Sequence, residues 1–445
     1  MTKKRSHKSK IRLRPSEKLV PRIDINGIFK NVWSNVQKEM GISSFVNGYK
    51  YDDEDFVMAL AYKALSGKPM AVALNKLNDL LLDELGEDPR CIDKAHERYE
   101  RKVPNASQVN AFLRNLPPTF LVRLESALFK ALIDKALEMG MITHEIEVYI
   151  DFHKLDYYGI DRNATNSGIT NVNSGAGTSR ARKYGELMIS SGRGALFANA
   201  CLSRQGYMKE AWMFQALLTL MSWGFTIKRV LADREFSTYD VLAVMGFLGV
   251  PYTGPMKRNP TIRTLVDQYL DAKSDAVISY KLQPSPTTRF KVGAIPVHVI
   301  FKAEPGKRVR DIRIALASGK ITRGEAKKHV HVFITTEPDP AKVSSLISWG
   351  MRIAQIFRHR WRIETGFRVS DGFTPSSHAR SNKIKTFWLV MDRFNYNCWK
   401  VQQAPHRKLK DVPKSWNDGQ TRDRFVDVGT ELIVKSRAGT IAAGA

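Results

Sequence analysis

Three acidic residues have the types and positions required for metal-dependent chemistry on phosphate esters. Asp151 closes the apolar, strand-like run VYI, and Asp233 closes the similar run VLA. Glu364 lies later, in the helical stretch RHRWRIETGFR. Carboxylate oxygens are ligands that Mg²⁺ prefers, and two strand-end aspartates with a helical glutamate would form a cage of such oxygens. The three residues therefore predict a Mg²⁺ or Mn²⁺ site suited to phosphodiester chemistry.

Each carboxylate also has a simpler explanation when it is taken alone. An isolated aspartate at a strand end is commonly a turn or cap residue. Arg360 and Glu364 stand four residues apart, which is the spacing of an ordinary surface ion pair on a helix. The two aspartates become a metal-site hypothesis because their strands are predicted to be neighbours in one sheet. Two like charges at close range are costly unless a cation neutralises them.

A polar helical face surrounds the glutamate. Its members recur at steps of three or four residues: Phe357, Arg360, Glu364, Arg368 and Asp371. A face packed in a core would not carry two arginines, a glutamate and an aspartate. We therefore predict that this face meets either water or a polar site.

The composition favours a polyanion as the partner. Lys and Arg total 70 against 44 Asp and Glu, which gives a formal net charge of +26. A basic excess of this size is typical of proteins that bind nucleic acid, although a merely basic surface would have the same composition. The hydrophobic content of 43% is sufficient for folded cores and argues against wholesale disorder.

The cysteines and the apolar segments exclude other classes. The three cysteines lie far apart, which excludes a disulfide framework and a cysteine-type zinc site. No apolar stretch follows the basic start MTKKRSHKSK, so we expect no signal peptide. The most apolar segment, AWMFQALLTLMSWGF, is too short to span a bilayer and is predicted to be a buried helix. We expect a cytoplasmic, nucleoid-associated protein with no membrane partner.

Changes in periodicity divide the chain into six predicted regions. These are a basic disordered arm (1–20), a helical DNA-binding domain (21–143), the first part of a catalytic α/β domain (144–258), a β-rich insertion (259–340), the second part of the α/β domain (341–403) and a basic flexible tail (404–445). In the helical domain, two helices flank Pro117 and Pro118. They fit a helix-turn-helix reader and a plain helical bundle equally well.

The α/β region has three meandering strands followed by alternating helices and strands. EVYIDFHKL, YGELMIS and ALFANACLS are predicted strands, the last two in a hairpin, and RVLAD and VPYTG follow on either side of a helix. This order describes a mixed sheet with helices on its faces. The insertion is predicted as short strands, among them RFKVGAI and DIRIALA. Both aspartates then lie near strand ends, where α/β sites usually form.

With these pieces in order, the chain resembles the DDE transposases of prokaryotic insertion sequences, in the group with a Tyr-Arg-Glu-Lys signature. The matching segments are IDFHKLDYYG, LADREFST and FRHRWRIETGFR, and the resemblance covers roughly residues 145–400. It implies an RNase H-like catalytic domain in which Asp151, Asp233 and Glu364 form the metal-binding triad. Two positions depart from the signature: Phe357 stands in place of the tyrosine, and Asp371 in place of the lysine.

The resemblance also implies which residues hold DNA. Arg360 matches the signature arginine and would bind a phosphate near the cleaved end. Because Asp371 reverses a charge, Arg368 or the segment ARSNKIK would supply the missing phosphate contact. The loop at 159–183 ends in basic residues and would close over DNA. The predicted DNA-binding residues are Arg360, Arg368, Phe357, Arg180, Arg182, Lys183, Arg380 and Lys383.

The activity that the resemblance implies is the nicking of insertion-sequence ends and the joining of the freed 3′-OH to target DNA, with Mg²⁺ or Mn²⁺ as cofactor. The expected partners are double-stranded DNA, as terminal inverted repeats and target, and a second copy of the chain in a homodimer. Two alternatives stay open. One is a structure-specific RNase H-like nuclease with the same triad, and the other is a catalytically silent DNA-binding transposase remnant.

Overall fold

A computed structural model describes residues 23–46, 50–87, 101–157, 169–171, 178–191, 194–203, 208–338, 345–373, 381–403 and 422–444. The predicted basic arm, the predicted DNA contact Arg380 and the greater part of the 159–179 loop lie outside these residues.

The described helices and strands alternate in the middle of the chain. The helices are α1 Ile25–Glu39, α2 Asp53–Ser66, α3 Met70–Leu85, α4 Ala106–Asn115, α5 Pro118–Glu138, α6 Lys209–Ser222, α7 Tyr239–Leu248, α8 Pro260–Leu270, α9 Val309–Ala317, α10 Arg323–Lys328, α11 Leu346–Ile356, α12 Trp361–Ser370, α13 Asn382–Gln403 and α14 Arg422–Gly444. The strands are β1 Glu145–Asp156, β2 Ile169–Asn171, β3 Arg180–Ser191, β4 Gly194–Leu202, β5 Thr226–Ala232, β6 Tyr252–Pro255, β7 Val277–Leu282, β8 Ile295–Ala303 and β9 Val330–Thr335.

The chain forms two compact units. The first unit comprises Met1–Met141 and Arg368–Ala445, and the second unit comprises Ile142–Phe367. The described residues of the first unit are helical, whereas the second unit contains the sheet. Within the described residues, no helix combines the length and the apolarity that crossing a bilayer requires. The six predicted region boundaries stay predictions.

Side-chain caps determine where two helices of the first unit begin. At the start of α2, the Asp52 carboxylate accepts from the backbone N–H of Asp55 at 2.9 Å, and the Asp55 carboxylate accepts from the backbone N–H of Asp52 at 3.2 Å. Asn105 and Gln108 form the same reciprocal pair at α4, at 3.0 and 2.8 Å. These capping boxes satisfy backbone donors that the first helical turn leaves unpaired. Asp52 and Asn105 are therefore the N-caps of α2 and α4.

An aromatic cluster forms the centre of this helical unit. Trp33 of α1 is buried, stacks on Phe112 at 5.7 Å between ring centroids, and meets Phe120 edge-on at 4.8 Å. Phe45 packs on Phe120 at 4.7 Å. Such aromatic pairs add about 0.5–1.5 kcal/mol each beyond the area they bury. The unit is a bundle of helices, and a DNA-reading role for α4 and α5 stays a prediction.

The C-terminal residues differ from the sequence prediction. A basic flexible tail is predicted at 404–445, but residues 422–444 form α14, which packs against α1, α2 and α3. Phe425, Val428 and Ile433 are buried at helical spacing. Arg437 also forms an ion pair with Asp55 of α2. The prediction of a flexible segment was wrong here because apolar residues scattered in a polar sequence share one helical face.

The second unit is built on one mixed sheet. The strand order is β2-β3-β1-β5-β6-β9-β8-β7, and β4 also pairs with β3. The pairs β1–β5 and β5–β6 are parallel, and the other pairs are antiparallel. The mixed sheet with flanking helices and the hairpin of β3 and β4 are therefore confirmed.

Residues 259–340 contain helices as well as the predicted strands. RFKVGA forms no strand, and DIRIALA forms the helix α9. Ile312 of α9 is buried whereas Ile314 is 56% exposed, so the alternation of apolar residues in DIRIALA does not correspond to a strand face. Strand β9 pairs with β6, so β7, β8 and β9 extend the main sheet.

The two faces of the sheet are covered by different helices. Asp151 and its cross-strand neighbours face α12, whose Gly366 would place a Cβ 2.5 Å from Cε of Met188. On the opposite face, Trp212 of α6 lies directly over Gly185, where an added Cβ would be 2.9 Å from the indole ring. Since side chains alternate along a strand, successive residues of β1 face α12 and α6 in turn.

Candidate active site

Asp151 and Asp233 lie side by side at the carboxyl edge of the parallel pair β1 and β5. The ladder between these strands ends at Ile150 and Ala232, and the N–H of Asp233 donates to the carbonyl of Ile150 at 3.3 Å. The predicted adjacency of the two strands is confirmed. The predicted strand EVYIDFHKL is confirmed by β1, which continues past Asp151 to Asp156 as an antiparallel partner of β3, so the placement of Asp151 near a strand end was wrong.

A close backbone approach positions the turn that carries Asp233. Gly254 of β6 lies against the end of β5, and a Cβ added there would be 2.7 Å from the carbonyl oxygen of Ala232 and 2.9 Å from the hydroxyl of Ser237. Only glycine permits this approach. Ser237 and Tyr252 share a buried hydroxyl–hydroxyl hydrogen bond of 3.0 Å beneath the turn. The position of Asp233 therefore depends on the neighbouring strand β6.

Glu364 approaches the same edge from α12. A 3₁₀ turn, Phe357–Arg360, separates α12 from α11, so the predicted polar face is not one continuous α-helical face. Phe357 is buried and packs on Phe333 with 5.3 Å between ring centroids. The exposed members of the predicted face are Glu364, Arg368 and Asp371.

The guanidinium of Arg360 bridges two of the three carboxylates. Nη1 donates to Oδ2 of Asp151 at 2.5 Å, and Nη2 donates to Oε1 of Glu364 at 2.5 Å. The side chain of Arg360 is 10% exposed and lies over the ring of Phe357, 5.4 Å from its centroid. Its Nε is buried and has no hydrogen-bond partner among the residues that the structure describes. Arg360 thus supplies positive charge between Asp151 and Glu364, where a bound cation would otherwise supply it.

Burial and neighbouring charges favour the protonated form of Asp151. Burial raises the pKa of Asp151 to about 6 and outweighs the lowering by Arg360, and the charges of Asp233 and Glu364 raise it further. The three side chains offer hard oxygen donors, which fit Mg²⁺ or Mn²⁺ by type. With Arg360 between them, no group of three or more His, Cys, Asp or Glu side chains in the described ranges is arranged to hold a metal ion. The metal site stays a prediction, which the donor chemistry supports.

Glu186 lies beside the site and is not singled out by the sequence motifs. It is the direct cross-strand partner of Asp151, it is fully buried, and its Oε1 lies 3.1 Å from Nδ1 of His153. His153 in turn stacks on Phe367 with 4.7 Å between ring centroids. The available signal is the single acidic residue within the apolar strand YGELMIS, which the hairpin places opposite Asp151.

The predicted DNA contacts on β3 have different environments. Arg180 is exposed at the start of the strand. Arg182 is buried, and its guanidinium lies 4.5 Å from the ring centroid of Tyr157. Lys183 forms an ion pair with Glu235. Their binding to DNA stays a prediction.

The remaining predicted contacts follow Glu364 in the chain. Arg368 is exposed on α12. Lys383 of α13 donates to the carbonyl of Leu116 at 3.0 Å, just beyond the end of α4. A cation in this place is favourable because the last carbonyls of a helix carry partial negative charge. Arg380 lies outside the described residues.

A cavity of about 410 Å³ lies at the opposite, amino end of β1. His359 and Arg362 line it, and they bind Glu147 and Ser190 at 3.0 and 2.5 Å respectively. Both residues flank Arg360 in sequence, yet they contact the far end of the strand. The cavity is therefore separate from the three carboxylates.

Comparison with known proteins identifies no family. No protein-family model matches this chain, and no curated protein sequence matches it. Among solved structures, the chain is similar to piggyBac transposase in a synaptic complex with hairpin DNA, determined by cryo-EM. The similarity has 11% sequence identity and a TM-score of 0.46, and it covers 96% of this chain and 80% of that chain. At this level the likeness carries no argument about function, which must come from the site itself.

Proposed function

We propose that this protein is a metal-dependent DNA transposase of the DDE type. The observations that support the proposal are the adjacency of Asp151 and Asp233 at the edge of two parallel strands and the guanidinium of Arg360 that joins Asp151 to Glu364. The formal net charge of +26 supports DNA as the substrate. The segments around the three carboxylates support an RNase H-like domain of the Tyr-Arg-Glu-Lys group.

In this proposal Asp151, Asp233 and Glu364 hold Mg²⁺ or Mn²⁺. A metal ion held by these three carboxylates would supply activation of a water and neutralisation of charge at the scissile phosphate. Asp151 is ionised above pH 6 or so, because its pKa is about 6. Arg360 leaves its bridge between Asp151 and Glu364 and binds a phosphate near the cleaved DNA end.

The proposed reaction is two in-line displacements at phosphorus. Water first breaks a phosphodiester bond at the end of the element and frees a 3′-OH. That hydroxyl then attacks a phosphodiester of the target DNA, so one phosphodiester bond forms as another breaks. No covalent protein–DNA intermediate is required. Two ends of the element, carried on terminal inverted repeats, have to be joined together, so we propose a homodimer on DNA.

The bridge made by Arg360 favours a second candidate, a DNA-binding transposase remnant without catalysis. A guanidinium at 2.5 Å from both Asp151 and Glu364 opposes cation binding there. The residues Phe357 and Asp371, which depart from the signature, favour the same candidate. A structure-specific nuclease would use the same triad without strand transfer.

DNA cleavage and joining by matched variants would test the proposal. Wild type, Asp233→Asn and the exposed control Asp275→Asn are incubated with Mg²⁺ or Mn²⁺ and DNA that carries the flanking repeats. We expect nicks at the repeat ends and joined products from wild type and control, and neither from Asp233→Asn. Cleavage without joining would identify a nuclease. Tight binding with neither product would identify the remnant.

A further inference from the structure

Glu235 holds two lysines in the turn that follows Asp233. Lys183 of β3 forms an ion pair with its carboxylate, and Lys209 at the start of α6 donates to its backbone carbonyl. Because the two lysines come from different elements, the turn at Glu235 is the point where they meet. The side chain of Glu235 is 41% exposed, so this ion pair is open to solvent.

Two stacked phenylalanines support both lysines. The rings of Phe152 and Phe236 lie 4.5 Å apart at their centroids, with 20° between their planes. Lys183 lies over Phe152 at 3.8 Å from the ring centroid, and Lys209 lies over Phe236 at 6.0 Å. An aromatic face attracts an ammonium group and leaves its N–H donors available for an anion.

Another lysine lies beside Lys183. Lys154 of β1 is the direct cross-strand partner of Lys183, so the two side chains leave the sheet on the same face. Lys154 and Lys257 are exposed. Lys154, Lys183 and Lys209 are therefore grouped near one carboxylate.

A second carboxylate nearby does not balance these charges. Burial and the charge of Lys257 lower the pKa of Lys209, although Glu210 and Glu235 oppose the shift. Glu210 is itself paired with Arg289 at 3.0 Å. We term the excess cations the lysine cluster: Lys154, Lys183, Lys209 and Lys257.

We propose that the lysine cluster is a binding site for DNA backbone phosphate, and that the Glu235 carboxylate occupies this site until DNA displaces it. A phosphodiester carries one negative charge and two free acceptor oxygens, as a carboxylate does, so it satisfies the same lysine donors. The inference rests on the proposed function, because it takes DNA as the substrate. It adds a phosphate-binding site to the proposed function. It also assigns Glu235, two residues beyond Asp233, as an internal competitor for that site.

The place of the cluster suits a duplex that crosses the carboxyl edge of the sheet. Phe152 and Lys154 alternate with Asp151 along β1, so they lie on the opposite face of the sheet. The cluster and the carboxylates therefore flank the same edge from two sides. DNA bound across this edge contacts both, with one phosphate at the carboxylates and others at the cluster.

Binding of labelled duplex DNA in EDTA, followed by fluorescence anisotropy, tests the site without catalysis. Glu235→Gln removes the competing carboxylate, so we expect affinity to rise about three- to tenfold near 50 mM salt and the slope of log K against log salt to steepen by about 0.9. Lys209→Gln and Lys257→Gln should each lower the affinity by about the same factor and flatten the slope. In a protein that already carries Lys183→Gln, Glu235→Gln should no longer raise the affinity for DNA.

The exposed pair Lys307 and Glu304 supplies matched controls, Lys307→Gln and Glu304→Gln. If a thermal melt shows that Glu235→Gln is not stably folded, Lys257→Gln still tests the site, because it does not change a residue of the Glu235 turn. If wild type binds DNA but Glu235→Gln does not bind more tightly, or Lys257→Gln binds equally well, the inference is wrong while the proposed function stands. If wild type itself does not bind DNA, both are wrong.

Discussion

Arg360 donates to the carboxylate of Asp151 at 2.5 Å, although 209 residues separate the two in the chain. The contact is almost closed to water, because the side chains of Arg360 and Asp151 are 10% and 13% exposed. A partly desolvated ion pair of this kind is costly to break unless new partners replace the old ones. For this reason both residues need new partners when the pair separates. In the proposed function, Asp151 then binds a cation and Arg360 binds a phosphate.

Replacement of Arg360 should tighten metal binding in the absence of DNA. In Arg360→Gln the competing positive charge is gone, so we expect the affinity for Mn²⁺ to rise by about tenfold, which corresponds to about 1.4 kcal/mol. Isothermal titration calorimetry measures this directly. The exposed neighbour Arg358→Gln is the matched control. Unchanged Mn²⁺ affinity in Arg360→Gln would show that the guanidinium does not compete with the metal.

The stability of Asp151→Asn relative to wild type should depend on pH. Burial raises the pKa of Asp151 from 3.8 to about 6 in the folded state, so the folded protein binds this proton more tightly than the unfolded chain does. Wild type therefore loses stability as pH rises from about 4 to about 6, by at most about 3 kcal/mol. Asn keeps an acceptor for Arg360 but does not titrate. In urea denaturation, the free energy of unfolding of Asp151→Asn relative to wild type should be higher at pH 7.5 than at pH 4.5. For Asp275→Asn the difference from wild type should be the same at both pH values.

The two close glycine contacts should differ in their tolerance of a methyl group. Gly254→Ala brings a Cβ to 2.7 Å from the carbonyl oxygen of Ala232, and backbone cannot move aside cheaply. We expect a loss of about 1–3 kcal/mol in the free energy of unfolding and weaker Mn²⁺ binding, because the turn with Asp233 shifts. Gly366→Ala meets Cε of Met188, the flexible end of a side chain, and should cost less. Equal losses in denaturant melts would contradict this ranking.

Lys63 should be replaceable with a gain in stability. Its Nζ is buried in α2, has no hydrogen-bond partner in the described part of the chain, and lies 5.1 Å from the ring centroid of Trp388. Burial, and then the charge of Lys385, lower the pKa of Lys63 from 10.5 to about 7. The unfolded chain binds the proton more tightly, so wild type loses stability as pH falls from 10.5 to 7.

Lys63→Met removes this penalty. We expect a gain on the order of 1–4 kcal/mol at pH 7 that shrinks toward pH 10. Thermal melts at both pH values measure it, with the exposed Lys76→Met as control. A gain that stays constant between pH 7 and pH 10 would exclude the buried charge as the cause.

The sequence predicts the local elements of the site better than its contacts. The apolar runs before Asp151 and Asp233 identify two strands, and their chain order indicates neighbours in a mixed sheet, which the parallel ladder confirms. The helix starts at Asp52 and Asn105 are likewise local features, because each cap pairs two residues three positions apart.

The contacts that depend on tertiary packing could not be predicted. The spacing of Arg360 and Glu364 indicates an ordinary surface pair, and nothing local indicates that the same guanidinium also binds Asp151. The helix α14 is another case, since it packs against α1, α2 and α3, which come from the other end of the chain. In α9, the alternation of DIRIALA favours a strand, but the packing of Ile312 favours a helix.

The way in which the chain is divided between the two units has a consequence for biosynthesis. The second unit is one continuous stretch, Ile142–Phe367, whereas the first unit needs both Met1–Met141 and Arg368–Ala445. The N-terminal helices therefore leave the ribosome roughly 15 s or more before their partner α14 exists, at about 5–20 residues per second. The second unit can fold during that interval. We therefore expect the nascent chain to expose apolar faces of its incomplete helical unit, to which chaperones can bind, until α14 has been translated.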